Sequence, residues 1–116
     1  MKYLFLQYPK CSTCKKAQSI LNWAKIDYTS RDISKDNPSV EELTEWIEKS
    51  ELPIQKFFNS NGVLYKDMNL KDKLPEMTEE EQIELLSTNG MLIKRPIIVG
   101  DDIVLVGFKE KEWKKL

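Results

Sequence analysis

The chain opens on an apolar run, Lys2-Tyr3-Leu4-Phe5-Leu6-Gln7-Tyr8, that Pro9 stops, and a run of this length bounded by a turn signal predicts a buried strand. From Ser12 the period changes. Ala17, Ile20, Leu21 and Ala24 recur at helical spacing while Lys15, Lys16, Gln18 and Asn22 fall largely on the other side, which predicts an amphipathic helix. Ile26 to Ile33 then alternates apolar and polar positions, as a half-buried second strand does. Strand, helix and strand together predict a βαβ opening with a parallel pair.

Between Ser39 and Asn89 turn signals separate short stretches with Leu, Ile, Phe and Trp at helical intervals. Ser39-Val40-Glu41-Glu42 has the capping-box pattern and opens a helix carrying Leu43, Trp46 and Ile47. After Leu52-Pro53 a short helical turn holds Ile54, Phe57 and Phe58, followed by an Asn59-Ser60-Asn61-Gly62 loop. Thr78-Glu79-Glu80-Glu81 repeats the capping pattern before Ile83, Leu85 and Leu86, and Asn89-Gly90 supplies the stop. The reading is a helical insertion, about residues 36–90, spliced between strands. Two apolar runs within Pro96–Gly107 flank a Gly-Asp-Asp turn and predict a β-hairpin. The charged tail from Lys109 predicts a last helix, with Phe108 and Trp113 to dock it. Trp23, Trp46, Trp113, Phe57 and Phe58 are expected as core anchors, and the Glu79–Glu81 run as a helix first turn favoured by the macrodipole.

A chain of 116 residues, 41% hydrophobic and 32% charged, is sized for one domain over 1–116. No run approaches the ~20 apolar residues of a membrane span, and the opening apolar run is too short for a signal peptide. A soluble, cytoplasmic protein away from membranes is therefore expected, and a monomer. The formal net charge of −1 argues against direct nucleic-acid binding, which favours a basic balance.

Histidine is absent, which excludes Ser-His, Cys-His and Zn-His sites. The two cysteines lie three apart, as Cys11-Ser12-Thr13-Cys14. Cys11 falls at the expected N-terminus of the first helix, where free N–H groups, including those of Ser12 and Thr13, favour a thiolate, and Lys10, Lys15 and Lys16 add positive charge. Cys14 follows one turn later, about 5–6 Å away and within disulfide reach. In this arrangement Cys11 attacks and Cys14 resolves. The alternatives are two inert buried cysteines or half of a zinc knuckle. With no His and no further Cys, a tetrahedral zinc site lacks ligands, so no metal is expected.

Arg95 is one of two arginines and precedes Pro96 at the entry to the hairpin. An X-Pro bond there is open to either isomer. If the turn faces the first helix, Arg95 can hold an anion or stabilise the Cys11 thiolate with its planar fork of donors; otherwise it is a solvated Arg before a strand.

The ordered set Tyr8-Pro9-Lys10-Cys11-Ser12-Thr13-Cys14-Lys15-Lys16-Ala17, a helical insertion, then Lys94-Arg95-Pro96-Ile97-Ile98 and a hairpin resembles the arsenate reductase (ArsC)/Spx family over nearly the whole chain. The resemblance implies an α/β, thioredoxin/glutaredoxin-like fold: a mixed four-stranded sheet flanked by helices, with the helical insertion between the second and third strands. It also implies Cys11 as the redox-active cysteine, Pro96 as a cis-proline facing it, and Arg95 as an anion-contacting residue. Glutathione-linked arsenate reductases of this family use further arginines in the insertion and after the hairpin. The corresponding stretches here, Lys56-Phe57-Phe58-Asn59 and Val106-Gly107-Phe108, contain none.

Three functions follow as expectations. The first is a glutaredoxin-like thiol–disulfide oxidoreductase with no bound cofactor, acting on a disulfide-bearing protein and re-reduced by glutathione or another thiol reductant. The second is an Spx-like regulator whose CxxC switches its binding to RNA polymerase. The third is an arsenate reductase using a thiol reductant.

Overall fold

The computed structural model describes residues 2–116. Strand β1 (Tyr3–Gln7) leads through helix α1 (Ser12–Trp23) to β2 (Tyr28–Asp32). The insertion carries α2 (Val40–Ser50), α3 (Val63–Asp67), α4 (Leu70–Lys73) and α5 (Glu79–Thr88), with 3-10 turns at Ile54–Phe57, Leu74–Glu76 and Gly90–Leu92. Strands β3 (Ile97–Val99) and β4 (Val104–Val106) form the hairpin, and α6 (Glu110–Trp113) closes the chain. The sheet order is β2-β1-β3-β4, with β1 parallel to β2 and antiparallel to β3, and β3 antiparallel to β4. This is the mixed four-stranded sheet, flanked by helices, that the family resemblance implied.

Adjacent strand residues point to opposite faces, so the pairs Phe5–Ile98 and Leu6–Ile97 feed two separate cores. On one face Phe5 and Ile98 meet Ala17 and Leu21 of α1 and Trp113 of α6. The Trp113 ring stands edge-on to Phe5 with centroids 6.0 Å apart, and its indole N–H donates to the Gly107 carbonyl at 3.0 Å, which pins the short last helix. On the other face Leu6 and Ile97 pack with Leu43, Trp46, Phe57, Leu86 and Ile93 of the insertion and its exit.

Both predicted capping boxes form. Ser39 accepts from the Glu42 amide and Thr78 from the Glu81 amide, while each glutamate bonds back to the cap's own N–H. Two expectations need correction or extension. Trp23 is not a core anchor: it is 87% exposed at the end of α1, because Cys14, Ala17 and Leu21 define the buried stripe and Trp23 lies outside it. Residues 63–76, left without assigned elements by the sequence pattern, form α3, α4 and a 3-10 turn, with Leu70 and Leu74 buried beneath them. Among the described residues no helix is long and apolar enough to cross a membrane.

Candidate active site

Where β1 ends, Pro9 and Lys10 turn the chain, and the Cys11 amide donates to the Tyr8 carbonyl at 3.0 Å. Cys11 is the N-cap of α1 in extended conformation, and its sulfur takes the place of a capping oxygen by accepting the Cys14 amide N–H at 3.3 Å. The helix start, whose unpaired N–H groups stabilise negative charge, is thus aimed at the sulfur. Cys11 is partly exposed and Cys14 is 2% exposed; both are free thiols.

These surroundings push the two thiols apart. Partial burial by itself raises the Cys11 pKa, but hydrogen bonds from the Cys14 side chain and amide, together with the charge and donors of Arg95, outweigh it and bring the net direction down. Cys14 goes the other way. Burial, its hydrogen bond to Cys11 and the negative charge on Cys11 raise it to about 12, against lowering contributions from the Tyr8 backbone and Arg95. One thiol is favoured as thiolate and its neighbour is held protonated.

The cation acting on the sulfur is Arg95, which precedes β3, the strand paired with β1; its peptide bond to Pro96 is cis. The Arg95 guanidinium carbon lies 5.0 Å above the Tyr8 ring centroid. Its Nε and Nη1 are buried and make no hydrogen bond, so its position rests on the aromatic shelf and on attraction to the sulfur. Lys10, Lys15, Lys16 and Ser12 are exposed and Thr13 is partly so. The structure therefore brings together Cys11, Cys14 and Arg95, follows Arg95 with the cis-bonded Pro96, and leaves the lysines facing solvent. Among the described residues no cluster of three or more Cys, Asp or Glu side chains could hold a metal ion.

Tyr8 carried no assigned role in the sequence reading, yet it touches every part of the site: its carbonyl holds Cys11, its backbone faces Cys14 and its ring supports Arg95. Its place between a strand end and a Pro-containing turn, immediately before a CxxC, was the available signal. A hollow of about 280 Å³ opens beside Cys14 between Tyr8, Pro9 and Gln18. A second, of about 480 Å³, lies between Arg95 and the Asn59–Leu64 segment.

Known proteins are similar to this chain in sequence and fold. A structure described as a putative ArsC family related protein from Bacteroides fragilis is 61% identical and superposes with a TM-score of 0.96, covering 99% of this chain and 97% of that one. The uncharacterized protein YusI of Bacillus subtilis is 45% identical over 99% of this chain and 98% of its own length. The regulatory protein MgsR of the same organism is 30% identical over 97% of this chain and 87% of its own. More distant relatives include both Spx global transcriptional regulators and arsenate reductases. The ArsC family match itself runs over residues 6–116, and on that match and these relatives the chain belongs to the ArsC family.

Proposed function

We propose that the protein is a thiol–disulfide oxidoreductase in which Cys11 attacks and Cys14 resolves. The observation that carries this reading is the opposed bias of the pair: an N-capping sulfur with a lowered pKa beside a buried thiol raised to about 12. The Cys11 thiolate attacks one sulfur of a substrate disulfide and expels the other as a thiolate, leaving a mixed disulfide on Cys11. Forming that bond removes the charge on Cys11 and its capacity to accept from Cys14. Two of the three causes that hold Cys14 protonated thereby disappear, and only burial remains. Cys14 then loses its proton and attacks the Cys11 sulfur, releasing the second substrate thiolate and closing the Cys11–Cys14 disulfide. Two electrons have passed from the dithiol to the substrate, and a thiol reductant such as glutathione returns them. Arg95 stabilises the thiolate before attack.

The test is an equilibrium titration against glutathione buffers, with the Cys11–Cys14 disulfide read by mass. A reversible transition within roughly −180 to −270 mV, the span of known thiol exchangers, is expected. Formation of no disulfide at any poise, or full disulfide-reductase turnover by Cys11→Ser, overturns the proposal.

The similarity to MgsR supports a second reading, in which the same disulfide alters the start of α1 and a partner reads the change. Equal partner affinity of the oxidised and reduced forms speaks against it. Arsenate reduction has less support: Arg95 is the arginine at the thiol pair, and Lys56–Asn59 and Val106–Phe108 supply none, so a doubly charged oxyanion held by one guanidinium loses much of the bidentate, charge-assisted contact.

A further inference from the structure

A groove of about 520 Å³ lies beside Lys94, the residue before Arg95. Its floor is aromatic: Phe58 and Tyr65 meet edge-on with centroids 6.3 Å apart, and Phe108 continues the surface. Its rim carries Lys56, Lys94 and Lys109, and no Asp or Glu lines it. Among the described residues none of the three lysines has a carboxylate within ion-pair distance, and Lys56 and Lys109 are exposed. On a chain with net charge −1, this concavity is locally cationic and apolar.

The groove adjoins the segment that carries Arg95. The Lys94 amide donates to the Phe57 carbonyl at 2.8 Å, and the Gly107 amide donates to the Pro96 carbonyl at 2.8 Å, so both walls hang on the residues flanking Arg95. Gly107 has φ of 76°, and a Cβ there would lie 3.1 Å from Cε of Lys94. The missing side chain is what lets the Lys94 stem lie across Gly107.

We infer that this groove docks an acidic, apolar-bearing peptide segment of the protein whose disulfide Cys11 attacks, an assignment of substrate class that rests on the oxidoreductase reading above. Ammonium groups around an aromatic floor match carboxylates interleaved with apolar side chains. Phosphate backbones fit less well, because the groove holds no arginine for bidentate contact. Lys94 is the residue before Arg95 and Gly107 is hydrogen-bonded to Pro96, so a partner docked here lies against the segment that carries Arg95, with the groove supplying affinity and the cysteines the chemistry.

The test uses the full chain and a fluorescent, cysteine-free peptide of alternating Glu and Leu, with a Lys/Leu peptide and an oligothymidine as controls. The acidic peptide is expected to bind in a salt-sensitive manner, to bind Cys11→Ser equally, and to lose about tenfold in affinity for the double variant Lys56→Glu/Lys109→Glu, whose exposed sites leave the fold unchanged. Undiminished affinity in that variant, equal binding of the basic peptide, preference for the oligonucleotide, or no binding overturns the inference. The same peptides carrying a disulfide separate the two proposals. Acidic and basic disulfides reduced at the same rate remove the groove and leave the oxidoreductase. Binding of the acidic peptide without reduction of either disulfide removes the oxidoreductase and leaves the groove as a docking site.

Discussion

The Arg95 guanidinium carbon stands 5.0 Å over the ring of Tyr8, and through this contact a residue from the hairpin side of the sheet is held beside a cysteine at the end of β1. The arrangement leaves the guanidinium short of hydrogen bonds, so the ring does positioning work that a carboxylate does in other sites. Tyr8→Leu removes the shelf, worth about 0.5–2 kcal/mol for a cation over an aromatic ring. The expected result is a higher Cys11 pKa in the ultraviolet thiolate titration, with Tyr8→Phe close to the unsubstituted protein. A Tyr8→Leu protein with an unshifted titration shows that Arg95 holds its place without the ring.

Replacing Arg95 itself has a definite sign. Its charge and donors lower Cys11, so Arg95→Leu raises the Cys11 pKa and moves the pH midpoint of alkylation upward. At neutral pH the alkylation rate falls as the thiolate fraction falls. Arg95→Lys keeps the charge but loses the planar face over Tyr8, and lies between the two.

Cys14 makes an opposite, alkaline prediction. Its folded pKa of about 12 stands above the ordinary 9.0, so between these values the unfolded chain has lost a proton that the folded chain still carries. The folded state binds more protons there, and reduced-protein stability must fall as pH rises through that window. Comparing denaturant midpoints of the reduced protein and Cys14→Ala across that range isolates the effect. Parallel curves mean that Cys14 titrates normally.

Much of this was legible beforehand. The capping boxes and the hairpin follow from short-range patterns that local physics enforces, a Ser or Thr three residues before Glu and a period of two in strands, whereas the division of the core between the two faces of the sheet was not read from them. Cys11 was readable as an N-cap because Pro9 ends the strand and the apolar helical stripe starts at once. What escaped depended on contacts distant in sequence. Trp23 fits a helix but not its buried stripe, and α3 and α4 are five- and four-residue pieces held by tertiary packing rather than by periodicity. Tyr8 gained its role only when residue 95 folded over it.

Arg31 is another position whose task pattern alone did not reveal. On the edge strand β2 it donates through Nη1 and Nη2 to both carboxylate oxygens of Glu42 at 2.7 and 3.0 Å, and through Nε to the Asp36 carbonyl at 2.8 Å. It thereby ties the strand to the capping box of α2, since the same Glu42 accepts from the Ser39 amide. Arg31→Ala is expected to cost about 1–2 kcal/mol in urea unfolding, partial exposure of the pair screening the rest. Arg31 lowers the Glu42 pKa, so this contribution is present above the ordinary carboxylate range and is lost as pH falls through the lowered folded value. The stability gap between the two proteins should accordingly close in acid; a gap independent of pH places the cost in lost packing instead.

Gly90 tests the joint where the insertion returns to the sheet. It is buried between α5 and β3, and a Cβ built on it would lie 1.8 Å from the Ile33 carbonyl oxygen and 2.7 Å from the carbonyl carbon. Those atoms belong to the backbone just beyond β2, where the Ile33 amide is already tied to the Gln7 carbonyl at 2.9 Å, so no side-chain rotation relieves the clash. The backbone must separate, and overpacking of that kind costs about 1–3 kcal/mol or more. Gly90→Ala is therefore expected to lower the urea midpoint substantially. Gly62→Ala meets chiefly the flexible amide of Asn59, at 2.7 Å from Nδ2, with the Asn59 carbonyl at a looser 3.1 Å, and should cost less. Equal midpoints for the two alanine variants refute the close approach of residues 90 and 33 on which the return of the chain to the thiol site depends.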